Sequence, residues 1–185
     1  MVKKILVAVD TQNEFVTGVL GNKDCEAAIP AIVAEIKSGN YAKIMLTQDT
    51  HGENYLNTQE GKRLPVIHGQ IGTEGYEINK DVIDAASETF ETNDIVMIAK
   101  PTFGSQLVGQ ALAEMVAELS VDGSEVEIVF VGFCTGICVI SNVVMAKAFC
   151  PEQRVCVIEK ACACVTPDTH KTAIDAMKTF QVDII

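Results

Sequence analysis

The sequence predicts an α/β protein: a three-layer, doubly wound, mainly parallel sheet with helices on both faces. Three observations carry that expectation. Short apolar runs rich in β-branched residues alternate along the chain with segments whose apolar residues recur at helical spacing. Several of the strand runs end on residues capable of chemistry, and open parallel sheets collect their ligands at those ends. The length of 185 residues suits one domain, 1–185, with a substantial single core.

Taken in order, Lys3 to Val9 reads as a first strand ending on Asp10. Gly18 to Asn22 is loop, and Asp24 is the expected cap of a helix reaching about Lys37, with Pro30 tolerated near its start. Lys43 to Thr47 is the second strand, followed by Gln48-Asp49-Thr50-His51. Gly52 to Gly75 then shows neither helical nor strand period, and so long a loop in a compact domain is usually functional. With its approach it holds Asp49, His51, Glu60 and His68. Two imidazoles and two carboxylates suit a divalent Zn, Fe or Mn ion, although a polar surface loop is the plainer alternative.

Val82 to Phe90 is a short helix, and Asp94 to Ala99 a strand leading into Lys100. Gln106 to Leu119 is helical, with Leu107, Leu112, Met115, Val116 and Leu119 marking its period. Arg154 to Glu159 is another strand, Thr166 to Phe180 a last helix, and Val182 to Ile185 an edge strand. Cys156, Cys162 and Cys164 fit core packing and receive no chemistry.

The segment Glu125 to Phe149 is the centre of the chain. A buried strand (Val126, Ile128 to Val131) meets the small-residue turn Gly132-Phe133-Cys134-Thr135-Gly136, and Val139, Asn142, Val143, Ala146 and Phe149 follow at helical spacing. Cys138 thus falls in the first turn of a helix, where free N–H groups and the helix dipole favour a thiolate and could hold an oxyanion. Its thiolate fraction is expected to exceed that of the other six cysteines. Ile128 to Ala146 carries no charge, but glycines, Thr135, Ser141 and Asn142 interrupt it too often for a membrane span. An ordinary buried cysteine explains this segment equally well. The balance shifts when Asp10, Asp49 and Lys100 are delivered to the same sheet edge.

A net charge of −11 argues against nucleic acid and against anionic membrane surfaces. Seven cysteines, an odd number without zinc-finger spacing, argue against a secreted disulfide framework. Five apolar residues before Asp10 are too few for a signal peptide, so a cytoplasmic protein is expected.

Across nearly its whole length the chain resembles the isochorismatase-like cysteine hydrolases, and especially their nicotinamidase-type amidases. The resemblance rests on Asp10-Thr11-Gln12-Asn13-Glu14-Phe15, Asp49-Thr50-His51, Pro65-Val66-Ile67-His68 with Gly72-Thr73-Glu74-Gly75, Lys100 with Phe103 and Ser105, and Gly132 through Val139. It implies a triad of Asp10, Lys100 and Cys138, a cis peptide before Cys134, and an oxyanion hole from the N–H groups of Cys134 and Cys138. It also implies a substrate pocket lined by Phe15 and Phe103, and one divalent metal ion (Zn, Fe or Mn) per chain on Asp49, His51 and His68, with Glu60 as fourth ligand. The implied substrate is a small amide, and the implied assembly a homodimer or homotetramer. Glu14, Ile67, Gly69 and Gly136 depart from residues frequent in the family, and the chain has no Trp to stack on a nicotinamide ring. A vinyl-ether hydrolase, and a non-catalytic binding or thiol-redox protein, are the competing readings on this fold.

Overall fold

A computed structural model describes residues 2–185. Six strands form one sheet in the order β3-β2-β1-β4-β5-β6, and every neighbouring pair is parallel. They are β1 (Val2–Val9), β2 (Lys43–Asp49), β3 (Ile95–Lys100), β4 (Glu125–Phe133), β5 (Arg154–Ala163) and β6 (Val182–Ile184). The helices are α1 (Asn13–Val16), α2 (Lys23–Lys37), α3 (Gln59–Arg63), α4 (Lys80–Thr89), α5 (Gln106–Leu119), α6 (Ile140–Phe149) and α7 (Pro167–Lys178).

The two-residue alternation of the strands builds two cores. Ile5, Val7, Val9, Ile128 and Phe130 face α5, α6 and α7 through Leu112, Val143 and Ile174. Leu6, Ala8, Val129 and Val131 face α2 and α4 through Ile32, Ile36 and Val82. β1 and β4 are central and covered on both faces, which explains their continuous apolar runs. The chain crosses from one half of the sheet to the other between these two strands. Parallel strands on either side of such a reversal leave a crevice at their C-terminal ends.

Several boundaries differ from the sequence reading. Asn22, not Asp24, caps α2, its side chain accepting from the N–H groups of Asp24 and Cys25. Asp24 lies in the first turn, where a carboxylate complements the helix dipole. Pro30 sits in the interior of α2, on an exposed face, where only one N–H is lost. β2 runs on to Asp49 and β3 to Lys100, and these two residues are the last register pair between the strands. The loop after His51 is not structureless: Tyr55–Asn57 forms a 3₁₀ turn and Gln59–Arg63 is α3, capped by Thr58. β5 continues past Glu159 to Ala163 through a register shift opposite Phe130 and Gly132. Two adjacent exposed charges, Glu159 and Lys160, disguise that continuation in the sequence.

Two backbone features mark the crevice. Asp10 has φ 46°, a left-handed conformation that Asp tolerates better than most residues. Gly132 has φ 113°, and a Cβ there would lie 2.1 Å from the carbonyl oxygen of Val9. The Phe133–Cys134 peptide is cis, as the resemblance implies. Among the described residues no helix is long and apolar enough to cross a membrane.

Candidate active site

Four strand ends converge as the sequence predicts. Lys100, wholly buried at the end of β3, places its Nζ 2.6 Å from Asp10 Oδ2, 3.4 Å from Cys138 Sγ and 3.6 Å from Asp49 Oδ1. It also donates to the carbonyl of Thr102 at 3.3 Å. Asp10 is fixed from its other side: the Thr47 hydroxyl donates to Oδ1 at 2.6 Å, and the Asp10 N–H returns a bond to Thr47 Oγ1 at 3.1 Å. Cys138 sits in a helical turn, Thr135–Val139, between β4 and α6, beside Asp10 and with its sulfur accepting from Lys100 Nζ.

The electrostatics correct one expectation. Position in a first helical turn suggests a lowered thiol pKa, but burial and the Asp10 charge push Cys138 well above its ordinary value. The helix dipole is a partial charge near the surface; full burial beside a carboxylate outweighs it. Burial likewise raises Asp10 above the usual carboxylate range despite the opposing Lys100 charge. For Lys100 burial works against the ammonium, but Asp10 and the Cys138 sulfur outweigh it and hold its pKa above that of an ordinary lysine. In the resting site the thiol therefore keeps its proton, and the carboxylate beside it is more basic than usual.

The loop candidates gather on the other side of Asp49. Asp49, His51, Glu60 and His68 each present a ligand atom, all within 4.8 Å of one another. Asp49 Oδ2 is 3.1 Å from His51 Nε2 and 3.2 Å from His68 Nε2, and Glu60 Oε1 is 3.5 Å from His51 Nε2. His68 Nδ1 lies 2.7 Å from the Val66 carbonyl, which fixes that nitrogen as the donor and leaves the Nε2 lone pair facing the cluster. His51 Nε2 is buried without a hydrogen-bond partner. Burial disfavours the Asp49 carboxylate, but the His51 and His68 imidazoles and the Lys100 charge beside it outweigh that and hold the carboxyl below its usual range. Two nitrogens and two oxygens converging on one point, one of them orphaned, fit a borderline divalent cation.

Supporting residues that sequence reasoning missed are mostly buried and polar. Asn142, fully buried in α6, donates to the carbonyls of Cys138 at 2.8 Å and Phe103 at 2.9 Å, and accepts from the Ser105 N–H at 3.1 Å. It ties the nucleophile turn to the loop after Lys100. Gln12 spans β1 and β2 by accepting from the Asp49 N–H at 2.7 Å and donating to its carbonyl at 3.0 Å. Both Glu14 carboxylate oxygens accept from the Gly69 N–H at 2.9 Å, anchoring the loop beside His68. Tyr55 is buried with its ring centroid 4.5 Å from that of His51 and 4.9 Å from that of His68. The only advance signal was a polar residue inside an apolar run, as at Asn142.

Phe15 is buried and meets the His68 ring edge-on at 6.0 Å, whereas Phe103 is exposed. His170 of α7 meets the nucleophile turn, its Nδ1 lying 2.8 Å from Thr135 Oγ1.

Known proteins share this fold. Solved structures of similar fold include a nicotinamidase from Bacillus subtilis, 21% identical, with TM-score 0.78 and 98% of each chain covered. A pyrazinamidase/nicotinamidase from Streptococcus mutans is 22% identical, with TM-score 0.81, covering 99% of this chain and all of that one. A pyrazinamidase of Pyrococcus horikoshii in complex with zinc is 21% identical, with TM-score 0.73 and coverage of 99% and 98%. No curated protein matches by sequence. The Isochorismatase domain model matches residues 4–185, nearly the full length, and on that match the chain belongs to the isochorismatase family.

Proposed function

We propose that this protein is a cysteine-dependent hydrolase of a small amide, working through a thioester on Cys138. The observation that carries the reading is the contact of Asp10, Lys100 and Cys138, brought from three separate strand ends into one buried cluster. Asp10, its basicity raised by burial, accepts the Cys138 proton as the sulfur attacks the amide carbonyl. The backbone N–H groups of Cys134 and Cys138, at the start of the helical turn, face the developing oxyanion. Protonated Asp10 then gives its proton to the departing ammonia or amine. Water, deprotonated by Asp10, attacks the thioester, and the carboxylic acid leaves with the thiol restored. Throughout, Lys100 keeps the carboxylate and the sulfur in register and balances their charge.

Asp49, His51, Glu60 and His68 would hold a divalent cation beside this cluster, and such an ion supplies a Lewis-acidic position for a substrate heteroatom. The zinc complex of the Pyrococcus horikoshii pyrazinamidase supports that assignment for the fold. Phe15 and Phe103 are the proposed apolar walls for the substrate. The nicotinamidase and pyrazinamidase names of the neighbours point to heteroaromatic carboxamides as the first compounds to try. The chain lacks a Trp for stacking, so other small amides belong in the same panel.

A coupled ammonia assay across nicotinamide, pyrazinamide and carbamoyl compounds is the test. Turnover on at least one of them is expected, falling by roughly 10,000-fold in Cys138→Ala. Ammonia release that survives loss of the thiol would overturn the thioester mechanism, and no ammonia from any of these amides would favour the vinyl-ether hydrolase or non-catalytic readings.

A further inference from the structure

A second sulfur cluster lies behind the nucleophile turn. The register of β4 with β5 pairs Gly132 with Cys162 and Phe133 with Ala163, so Cys134 and Cys164 are the next residues beyond the ladder. Neighbouring strands run about 4.8 Å apart, within the spacing of roughly 4.4–6.8 Å between Cα atoms that a disulfide spans. The Cys134 thiol lies beside both the Cys164 sulfur and that of Cys25 in α2.

The three sulfurs are not equivalent. Cys25 is wholly buried beneath the start of α2. Cys164 lines two separate cavities, one of about 310 Å³ shared with Lys160 and His170, the other of about 350 Å³ shared with Gly136 and Thr169. Either is far larger than the ~30 Å³ of a water molecule, and Cys164, itself only 2% exposed, forms part of the wall of both. The Cys164 sulfur also accepts from the Gly136 N–H at 3.4 Å. The neighbouring Cys134 thiol, with Thr169 and the Gly136 and Val165 N–H groups, outweighs burial and holds its pKa below that of an ordinary thiol. Cys162 shares the first cavity, but burial pushes its thiol up to about 12.

We propose that Cys164 and Cys134 form a peroxide-reactive dithiol, with Cys164 the attacked thiol and Cys134 the resolving one. The co-substrate class is a hydroperoxide, ROOH. The Cys164 thiolate attacks the terminal oxygen; an S–O bond forms, the O–O bond breaks, and the alkoxide leaves as ROH with a proton from solvent. The Cys134 sulfur then attacks the sulfenic sulfur. The S–S bond forms as the S–O bond breaks, and water leaves carrying the Cys134 proton. Two thiols are oxidised to a disulfide while the peroxide is reduced to ROH and water.

The cross-link would bear directly on catalysis, and that consequence rests on the proposed amidase reading. Cys134 begins the nucleophile turn, and its carbonyl accepts from Ile137 and Val139 at 3.0 and 3.1 Å. Tying its side chain to β5 would constrain the backbone that faces Cys138.

The test uses the full-length, reduced protein and a few equivalents of hydrogen peroxide, followed by alkylation and non-reducing peptide mapping. A Cys134–Cys164 linked peptide is expected, with amidase activity lost in parallel and both changes reversed by dithiothreitol. Cys164→Ser should keep its activity when reduced, form no such peptide, and need about tenfold more peroxide for half-inactivation. A Cys25–Cys134 link, oxidation confined to Cys138, or thiols left unreacted would each overturn the proposal. The map of the natural chain decides the chemistry even if Cys164→Ser misfolds. It also decides it if no amide is hydrolysed, so failure here is distinct from failure of the amidase reading.

Discussion

Lys100 sets the terms at the scale of single residues. One ammonium with no solvent exposure faces two carboxylates and a thiol, an arrangement that costs desolvation and adds little to net stability. Its value is positional, since it holds Asp10 against Cys138 while burial raises both of their pKa values. A base works only when deprotonated, so kcat/KM should climb as pH rises through the Asp10 pKa. Because that pKa is raised, the acid limb should lie above the range of a free aspartate, about 3.9. The Thr47 hydroxyl stabilises the charged carboxylate, so Thr47→Val should move the limb further up. A limb at an ordinary aspartate value, unmoved by Thr47→Val, would remove Asp10 from the role of base. Asp10, Lys100 and Cys138 were legible in the sequence because each follows an apolar run that reads as a buried strand, and the three strand ends meet at one sheet edge. Asn142 and Gln12 were not, because spacing can set a polar side chain on a face or in a turn without showing which backbone groups it joins. Cys164 was hidden for a related reason: nothing in its own neighbourhood betrays the thiol it meets across the sheet.

At the scale of elements, β4 and the turn that follows decide whether the site forms. β4 is buried along all but its first residue and lies between β1 and β5, so its direction is fixed before the chain reaches Gly132. There φ is 113°, and the Val9 backbone leaves no room for a Cβ. Gly132→Ala should therefore destabilise the fold by about 3 kcal/mol or more, combining left-handed strain with a backbone clash. Gly123 makes the matched control, because its φ is also positive, at 81°, but no atom lies within 4 Å of the would-be Cβ. Gly123→Ala should cost only about 1–2 kcal/mol, the strain alone. Urea unfolding of the two variants reads the difference, and equal losses would show that the close approach to Val9 relaxes freely. The same contrast explains which boundaries the sequence yields. Apolar periodicity locates strands and helices well, whereas caps and bulges depend on single side chains and on neighbouring strands. Asn22 took the capping role from Asp24 because its side chain reaches two N–H groups at once. β5 outran its apparent end because a register shift lets the ladder resume beyond Glu159 and Lys160.

The whole molecule is a parallel sheet whose C-terminal edge must be closed by something other than the strands. The segment from His51 to Gly75 does this, held together by its own bonds and tied to α1 by a few polar ones. Within it His51 donates its N–H to the Gly69 carbonyl at 2.8 Å, and Gln70 donates to the carbonyls of His51 and His68 at 3.1 Å. From α1, Glu14 accepts from the Gly69 N–H and donates its own N–H to the Gly75 carbonyl at 3.0 Å, and Asn13 donates to the Glu74 carbonyl at 2.9 Å. Glu60 reaches the cluster from α3, while Asp49 belongs to β2. A cation on Asp49, His51, Glu60 and His68 would therefore join loop to sheet, and its binding energy would count toward folding. At a free-ion concentration about 100 times Kd, the gain is roughly 2.7 kcal/mol. For a domain of this size each kcal/mol corresponds to about 2–4 °C in Tm, so chelation should lower Tm by roughly 5–11 °C. Protein purified without added metal should carry about one ion per chain by elemental analysis. His51→Ala should lose the ion and show the lower Tm without further response to chelator. The loop should also become the first site of limited proteolysis on metal removal, since its remaining ties are single hydrogen bonds. Full activity and an unchanged Tm in demonstrably metal-free protein would leave the loop as a substrate wall, with its histidines held by Asp49 alone.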